Sequence, residues 1–298
     1  MSILNICLAC DDNYAKYAGV VIASVLLNSK EDESFVFHIL AYHLSEENIA
    51  NFLALKNLKN CEIKIITPTE DFFEVCKEVR TLSHITLPSY FRLRAASLLD
   101  VEDRVLYLDS DIIVEKSLSE LYFTDFEDNF CAGVVDHLGR SDGIINSGVL
   151  LINLKKWREE NAEKLIFDYI EQNKEKISCG DQEIINDVFK GKILQLPDMW
   201  NVQTLNFYSF STYEMNYGIV HFIGGSKPWL FGSFMPFKKK FFYYMSKTGW
   251  GSPSALWQFV SNVYSYLRYL KRVPFFWLRP RFFKALQNGV FRYLKSFN

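Results

Sequence analysis

The chain has 298 residues, of which 49% are hydrophobic and 23% are charged, and its formal net charge is −2. These values are typical of a globular chain with a sizeable core, and the length suits one large α/β domain or two smaller ones. No apolar stretch reaches the ~18 residues that a membrane-spanning helix needs, and the first residues lack the basic region of a secretory signal.

The small net charge conceals an uneven distribution. Glu214 is the last acidic residue, and residues 215–298 contain 13 lysines and arginines without any acidic residue. Residues 1–214 hold 20 basic and 35 acidic residues, a net charge of −15. The chain therefore consists of an acidic N-terminal part and a basic C-terminal tail.

Strand and helix patterns alternate over the first 108 residues. The predicted strands are residues 3–9, 35–41, 63–66 and 104–108, and the predicted helices are residues 14–27, 45–58 and 88–99. Ser45 is the expected cap of the second helix. This order predicts a mostly parallel central sheet, in which ligands lie beyond the carboxyl ends of the strands. Asp11 and Asp12 follow one such strand and Asp109 follows another, so we expect one crevice to hold them.

The second half contains further predicted elements. We predict a strand at residues 131–135 that ends at Asp136, a hydrophobic strand region at 143–153, one amphipathic helix at 155–172 and a helix at 181–189. Asp181 is placed either to cap this last helix or to face a ligand. Residues 196–217 are aromatic with few clear periods, and irregular segments of this length are often functional.

The tripeptide Asp109-Ser110-Asp111 stands between two apolar runs, residues 105–108 and 112–114. Residues two apart on an extended chain point the same way, so both carboxylates can face one site while Ser110 faces away. Two such oxygen ligands, with room for phosphate oxygens, suit Mg²⁺ or Mn²⁺, which can offset the charge of a diphosphate leaving group. A strand-end turn with solvated acids is the structural alternative.

The six cysteines are residues 7, 10, 61, 76, 131 and 179, and most lie inside apolar runs. The spacing of Cys7 and Cys10 invites a redox or zinc interpretation. However, positions three apart on a strand face opposite sides, and no second pair is present. We expect reduced cysteines that act as small buried hydrophobes in a cytoplasmic protein.

The C-terminal tail interleaves basic residues with large aromatic residues. Lys238, Lys239 and Lys240 precede four aromatic residues, and similar clusters follow. This pattern favours the headgroup boundary of an anionic membrane, where each Lys or Arg contributes ~1 kcal/mol. The alternatives are nucleic-acid binding, for which no motif is present, and an ordinary helical cap on the core. We predict a domain boundary after residue 235, with residues 236–298 forming a membrane-association region.

Four segments together resemble a known family. They are residues 9–14 (ACDDNY), 109–111 (DSD), 146–154 (NSGVLLINL) and 221–229 (HFIGGSKPW). In this order and at these separations they resemble the retaining glycosyltransferases of family eight, above all the bacterial lipopolysaccharide α-galactosyl- and α-glucosyltransferases. The resemblance covers about residues 3–230. It implies a catalytic domain over residues 1–235 with the α/β, GT-A type nucleotide-sugar-binding fold. The composition of the tail adds the expectation of a small basic and aromatic helical region after it.

The resemblance also implies roles for individual residues. The metal ligands are expected to be Asp109, Asp111 and His221, holding Mn²⁺ or, as the alternative, Mg²⁺. The other residues expected at the UDP-sugar donor are Ala9, Asp11, Asn13, Tyr14, Arg92, Ser110, Asn146, Gly148, Gly224 and Lys227. Asp136, Asp181 and Gln182 are expected at the reacting face, with Asp181 holding sugar hydroxyls and Gln182 near the anomeric carbon.

Each of these roles has a plainer structural alternative. His221 beside an apolar strand can be a satisfied core residue, Arg92 a surface arginine, and Asp136 and Asp181 ordinary turn or cap residues. An amide is a poor nucleophile, so for Gln182 we expect no covalent intermediate. We expect same-face attack within an ion pair, with the departing phosphate accepting the acceptor's proton.

The expected reaction transfers galactose or glucose from UDP to a lipid-linked oligosaccharide of the lipopolysaccharide or lipooligosaccharide type. The expected location is the inner face of the bacterial cytoplasmic membrane, without nucleic-acid binding. Residues 136–146 are shorter than the corresponding loop of some relatives, so the acceptor is the least transferable property. The alternatives are a metal-dependent nucleotidyltransferase and a non-catalytic module that binds sugar nucleotides or membranes.

Overall fold

The computed structural model describes residues 2–69, 87–136, 143–204, 217–233 and 235–272, with only the backbone at 266–272. The strands are β1 (Ser2–Asp11), β2 (Glu33–Tyr42), β3 (Glu62–Ile66), β4 (Arg104–Leu108), β5 (Ile112–Val114), β6 (Cys131–Val135), β7 (Ile145–Asn153), β8 (Ile193–Gln195), β9 (Val202–Gln203) and β10 (Ile219–His221). The α-helices are α1 (Ala15–Leu27), α2 (Glu46–Ala54), α3 (Ala95–Leu98), α4 (Ser119–Tyr122), α5 (Leu154–Glu159), α6 (Ala162–Asn173), α7 (Asp181–Val188), α8 (Lys238–Met245) and α9 (Ala255–Arg272). Cys76, most of the predicted irregular segment and the end of the tail lie outside the described residues.

A seven-stranded sheet with the order β3-β2-β1-β4-β7-β6-β8 forms the centre of the molecule. Strand β1 pairs in parallel with β2 and β4, and β2 pairs in parallel with β3. Strand β7 runs antiparallel to β4 and β6, whereas β8 is parallel to β6. The predicted α/β class with a mostly parallel sheet is thus confirmed.

Both faces of this sheet are covered by apolar side chains, which explains why β1 reads as an uninterrupted apolar run. Ile6, Leu8 and Cys10 belong to the core on one face, and Cys7 and Ala9 belong to the core on the other. The two cysteines therefore point to opposite sides of β1, as predicted from their spacing. Burial raises the pKa of both thiols far above the ordinary value.

The predicted helix at 155–172 is wrong in one respect, because the chain forms two helices there. Asn161 between α5 and α6 has a φ of 50°. This left-handed conformation is tolerated by asparagine and ends an α-helix. The carbonyl oxygen of Asn161 then accepts from the N–H groups of Lys164 and Leu165, so α6 starts anew.

The predicted helix at 88–99 also differs in detail. Residues Leu87–Arg94 form a 3₁₀ helix and only Ala95–Leu98 is α-helical. Within the 3₁₀ segment, the Arg92 Nε donates to the carbonyl oxygen of Ser89 at 2.8 Å. This side chain is buried and reaches Asp109 and Asp181, so long-range contacts of the arginine outweigh the local preference for a regular α-helix.

A second, three-stranded sheet has the order β5-β10-β9. Strand β10 is antiparallel to β5 and parallel to β9. The chain passes from β4 of the large sheet to β5 of the small sheet through residues 109–111. The predicted aspartate pair therefore lies at the junction of the two sheets.

The described residues divide into two compact units. The first contains residues 2–228 and 235–252, and the second contains residues 229–233 and 253–272. Helix α8, which follows the predicted boundary at residue 235, belongs to the first unit and packs on α1, with the Phe241 and Tyr17 ring centroids 6.3 Å apart. That residues 236–298 associate with a membrane stays a prediction.

Two of the three consecutive lysines in α8 are held by the first unit. Lys238 is buried, and burial lowers its pKa to about 8. Lys240 forms an ion pair with Glu115, whose other carboxylate oxygen accepts from the Tyr244 hydroxyl at 2.9 Å. Lys238 is therefore buried within the first unit, and Lys240 is paired there with Glu115.

In the second unit, helix α9 buries two serines and exposes several apolar side chains over residues 255–265. Ser261 Oγ accepts from the Gly232 N–H at 2.9 Å, and Ser265 Oγ donates to the Ser233 carbonyl oxygen at 3.3 Å. The exposed side chains are those of Leu256, Phe259, Val260 and Val263, of which Leu256 is 72% exposed. Among the described residues, no helix combines the length and apolar character required to cross a membrane.

Candidate active site

The aspartate pair is held by backbone hydrogen bonds to two neighbouring strands. The Asp109 N–H donates to the Gly148 carbonyl oxygen at 2.8 Å, and the Phe222 N–H donates to the Asp111 carbonyl oxygen at 2.9 Å. Residues 110 and 111 form a turn rather than continuing the extended chain. Ser110 nevertheless faces away, as predicted, and its buried hydroxyl donates to the Ala9 carbonyl oxygen at 3.0 Å.

Three potential metal ligands converge at this turn. The His221 Nε2 lies 3.1 Å from Asp111 Oδ1 and 3.8 Å from Asp109 Oδ2. One ligand atom from each residue lies within 4.8 Å of the other two. The side chains of Asp109 and Asp111 are only 25% and 14% exposed. The pair is therefore not a solvated turn, and the buried His221 faces both carboxylates.

This set of donors fits a divalent cation. Two carboxylates and one imidazole nitrogen leave coordination positions for phosphate oxygens, and the imidazole suits Mn²⁺ better than Mg²⁺. Gly148 lies directly behind the ligands. A Cβ at this position would be 2.2 Å from His221 Cε1 and 2.6 Å from Asp109 Oδ2. The absence of a side chain at Gly148 thus allows the ligands to come together.

Lys227 lies on the other side of Asp111. Its Nζ pairs with Asp111 Oδ2 and donates to the Phe222 carbonyl oxygen at 2.6 Å. Burial acts to raise the pKa of Asp111, but the charge of the adjacent Lys227 holds that pKa well below its ordinary value. The carboxylate is therefore ionised at neutral pH. Gly224, between these residues, has a φ of 71°, which favours glycine.

The loop after β1 reaches the same region. Asp11 Oδ1 accepts from the Tyr14 N–H at 2.8 Å, which shapes the turn into α1. Burial raises the pKa of the Tyr14 phenol, although the charge of Lys227 acts to lower it. Asn13 is exposed on this loop. That this loop binds uridine stays a prediction.

Asp12 has a structural role in the same loop. Its Oδ1 accepts from the Ser45 N–H at 2.7 Å and from Asn48 Nδ2 at 2.6 Å. Ser45 caps α2 as predicted, since its hydroxyl accepts from the Asn48 N–H at 3.3 Å. The loop that carries Asp11 is thereby fixed to α2.

Arg92 is buried and bonded to the protein on every side. Its guanidinium donates to Asp109 Oδ1 at 2.7 Å and to the Ser147 carbonyl oxygen at 2.6 Å, and its Nε lies 3.1 Å from Asp181 Oδ2. Its carbon Cζ stacks 4.1 Å from the ring centroid of Tyr107. The alternative of a surface arginine is wrong. In this structure Arg92 positions Asp109 and Asp181, and its contact with a donor stays a prediction.

Asp181 and Gln182 face the site from the first turn of α7. Gly180, not Asp181, is the cap of this helix. Asp181 Oδ2 accepts from the Ser147 hydroxyl at 2.9 Å, and burial raises its pKa although the charge of Arg92 opposes this. Gln182 Oε1 accepts from Asn146 Nδ2 at 3.0 Å, and its Nε2 donates to Asp136 Oδ2 at 2.8 Å.

The structure thus joins most of the predicted site residues by direct contacts. Two contributors were missed from the sequence. Ser147 holds both Arg92 and Asp181, and Asn201 contacts His221 Nδ1 at 3.0 Å. Ser147 lies within residues 146–154, one of the four segments that carry the family resemblance. Asn201 lies within the irregular aromatic segment 196–217, for which a functional role was expected. Neither residue type at its position carries a specific sequence signal.

A solved structure provides the comparison for this geometry. The galactosyltransferase LgtC, solved in complex with donor and acceptor sugar analogs, is 29% identical, with a TM-score of 0.72 over 86% of this chain and 99% of that chain. The fold and the site therefore define a glycosyltransferase with a GT-A fold.

Sequence comparison gives the family. The lipopolysaccharide 1,3-galactosyltransferase of Salmonella typhimurium is 29% identical over 269 residues, or 83% of this chain and 79% of that protein. General stress protein A of Bacillus subtilis is 26% identical over 280 residues, or 84% of this chain and 96% of that protein. The model of glycosyl transferase family 8 matches residues 5–232. The chain belongs to this family, as the resemblance implied.

Proposed function

We propose that this glycosyltransferase moves galactose or glucose from a UDP-sugar to a lipopolysaccharide- or lipooligosaccharide-type acceptor with retention of configuration. The observation that carries the proposal is the convergence of Asp109, Asp111 and His221 beside Gly148. Gly148 lies on β7, and Asn146 of the same strand donates to Gln182. The Salmonella relative is a lipopolysaccharide galactosyltransferase, and LgtC is a galactosyltransferase solved with donor and acceptor sugar analogs, which supports a hexose donor and a saccharide acceptor.

In this proposal, Asp109, Asp111 and His221 hold Mn²⁺, with Mg²⁺ as the alternative. When bound, the cation neutralises charge that develops on the departing diphosphate. Lys227, now paired with Asp111, is the nearby cation that turns to the diphosphate as a point charge. Asp11, Asn13 and Tyr14 bind the nucleoside end of the donor.

The reacting face is formed by the residues of the Asn146–Gln182–Asp136 chain. The side-chain oxygen Oε1 of Gln182 accepts from Asn146 Nδ2 at 3.0 Å and from the Ser147 N–H at 3.3 Å. An amide held in this way stabilises positive charge at the anomeric centre without forming a bond. The acceptor hydroxyl attacks from the face that the diphosphate leaves, and its proton passes to the departing phosphate.

The test is donor hydrolysis without an acceptor. The full-length protein with Mn²⁺ and a panel of UDP-sugars is expected to release UDP slowly from one hexose donor. Asp111→Asn is expected to reduce this release by about 10²–10³-fold, because one carboxylate no longer supports the leaving group. Asp128→Asn, an exposed residue paired with Lys156 and Lys192, is the matched control.

Equal UDP release by Asp111→Asn and the wild-type protein would contradict the proposal. Release of pyrophosphate instead of UDP would favour the nucleotidyltransferase. That alternative predicts a phosphate loop of Gly and Lys near the N-terminus, and residues 9–14 contain neither. A glycosyl adduct on Gln182 or Asp181 in mass spectrometry would contradict the mechanism alone.

The proposal includes a position on the inner face of the cytoplasmic membrane. Two observations support it: the apolar side chains that α9 exposes and the excess of basic residues after residue 214. Apolar side chains flanked by cations suit an anionic lipid surface. Because Lys238 and Lys240 are held by the first unit, the basic residues after 245 are the ones expected to contact lipid.

A further inference from the structure

Asn201 connects the metal ligand His221 to the strand that carries Asn146. It follows the short 3₁₀ helix Asp198–Trp200 and is 1% exposed. Its Oδ1 lies 3.0 Å from His221 Nδ1, and its Nδ2 donates to Asn146 Oδ1 at 2.8 Å. Both ends of the amide are therefore in use.

The direction of each hydrogen bond is fixed by backbone donors. The Gly148 N–H donates to Asn146 Oδ1 at 3.1 Å, so the oxygen of this amide faces Asn201. The Ser147 N–H donates to Gln182 Oε1, so Asn146 must present its nitrogen to Gln182. These two N–H groups can only donate. Asn201 must consequently direct its nitrogen to Asn146 and its oxygen to His221.

This orientation determines which nitrogen of His221 carries the hydrogen. An amide oxygen only accepts, so His221 Nδ1 must be protonated. In the neutral imidazole the lone pair is then on Nε2, which faces Asp111 and Asp109. A lone pair directed at two carboxylates is unfavourable by itself and favourable when a cation lies between them. Of the two neutral tautomers, the one that the bond to Asn201 selects is the one whose Nε2 can bind a metal.

We propose that Asn201 is a positioning residue of the cation site, which fixes His221 as the Nδ1–H tautomer and connects it through Asn146 to Gln182. The inference rests on the cation site of the proposed function. Outer partners of ligating histidines raise ligand basicity and fix the orientation of the ring. Asn201 supplies this support from the small sheet, and Asn146 extends it to the reacting face.

Two substitutions separate the contributions of the two hydrogen bonds of Asn201 and so test its role in positioning His221. Asn201→Leu removes both bonds at similar volume. Asn201→Asp retains an acceptor for His221 Nδ1–H, but its ionised carboxylate cannot donate to Asn146. If Asn201 has a merely structural role, both variants should lose Mn²⁺ affinity equally. If Asn201 orients the histidine, Asn201→Asp should retain Mn²⁺ affinity.

The measurement is Mn²⁺ binding by the full-length protein in the presence of UDP, followed by the electron paramagnetic resonance signal of free Mn²⁺. Asn201→Leu is expected to weaken binding by about 10–100-fold, and Asn201→Asp is expected to bind at least as tightly as wild type. Asn186→Leu is the matched control. Among the contacts described, this buried asparagine bonds only to main-chain atoms of Ile145 and Gln182. The substitution is therefore expected to lower the stability of the fold and to leave Mn²⁺ affinity unchanged.

Circular dichroism and thermal unfolding establish that each variant is folded, and Asn201→Ala replaces Asn201→Leu if the latter is not. Wild-type affinity in the leucine or alanine variant, or equal loss in the aspartate variant, would overturn the inference and leave the proposed function intact. Absence of Mn²⁺ binding by the wild-type protein with UDP would overturn the cation-assisted function itself, and this inference with it.

Discussion

The active site and helix α9 differ in which side chains they bury and which they expose. The site buries charged groups and places an opposite charge beside each, as with Arg92 next to Asp109 and Lys227 next to Asp111. Helix α9 buries serines and exposes leucine, phenylalanine and valine. Burial of charge requires partners within the chain. Exposure of a contiguous apolar face indicates a partner outside it.

The largest expected effect comes from filling the space behind the ligands. In Gly148→Ala the new methyl group displaces His221 or Asp109, because no room exists at 2.2 Å from the imidazole. We expect transfer to fall by about 10²–10³-fold and Mn²⁺ binding to weaken in parallel. Transfer assays and Mn²⁺ titration of the same preparation measure both effects.

Gly225→Ala is the control for this substitution. An added Cβ at Gly225 meets no atom within 4 Å, so Mn²⁺ affinity is expected to stay at the wild-type value. If Gly148→Ala bound Mn²⁺ as tightly as wild type, the ligands would not need the close approach that the geometry shows. The description of the active site in this comparison would then be wrong.

The next effect concerns the apolar face of α9. The combined substitution of Leu256, Phe259 and Val263 by serine removes three exposed apolar side chains without changing charge. We expect partition onto vesicles of anionic lipid to weaken by on the order of 10²-fold, since each of the three side chains contributes on the order of 1 kcal/mol at the interface. Sedimentation with the vesicles measures the bound fraction.

Leu165→Ser is a suitable control because Leu165 is 46% exposed on α6 of the first unit. It is expected to sediment like wild type, and activity on a soluble acceptor is expected to be equal in all these proteins. Unchanged sedimentation of the triple variant would mean that α9 does not meet lipid, and the apolar face would then require a different partner.

The smallest effect concerns His38, a buried base outside the site. Burial lowers the pKa of His38 to about 4 from its ordinary 6.5. Its Nε2 contacts Asn5 Oδ1 at 3.0 Å, and within the described residues its Nδ1 has no hydrogen-bond partner. Because the folded protein binds this proton less readily than the unfolded chain does, stability is complete above pH 6.5 and falls as the pH decreases towards 4.

We expect wild type to lose about 1–2 kcal/mol of unfolding free energy through this residue between pH 7 and pH 5. His38→Gln retains a donor for Asn5 and does not titrate, so its stability is expected to depend less on pH. Urea denaturation at both pH values measures the difference. Equal pH dependence in the two proteins would show that His38 is not desolvated as the fold indicates.

Much of the fold and site was predictable because the signals are local. Apolar runs defined β1, β2 and β4, and the two aspartates at the end of β4 indicated a ligand site. The positions that failed depend on contacts distant in sequence. The 3₁₀ helix around Arg92 exists because this arginine reaches Asp109 and Asp181, and no local pattern encodes such contacts.

The break at Asn161 and the role of Asn201 illustrate the same limit. Asparagine is compatible with a helix, a turn and a left-handed residue, so its presence at 161 does not specify which occurs. Asn201 acquires its role only because β9 and β10 bring it beside His221. The pairing of these two short strands is not readable from their few residues.

The crossing between β4 and β5 has a thermodynamic consequence. Asp109 extends from the seven-stranded sheet, whereas His221 ends a strand of the three-stranded sheet. The proposed cation, held by both residues, would cross-link the two sheets. Its binding free energy is therefore also resistance to unfolding, and the melting temperature should rise with the logarithm of the Mn²⁺ concentration.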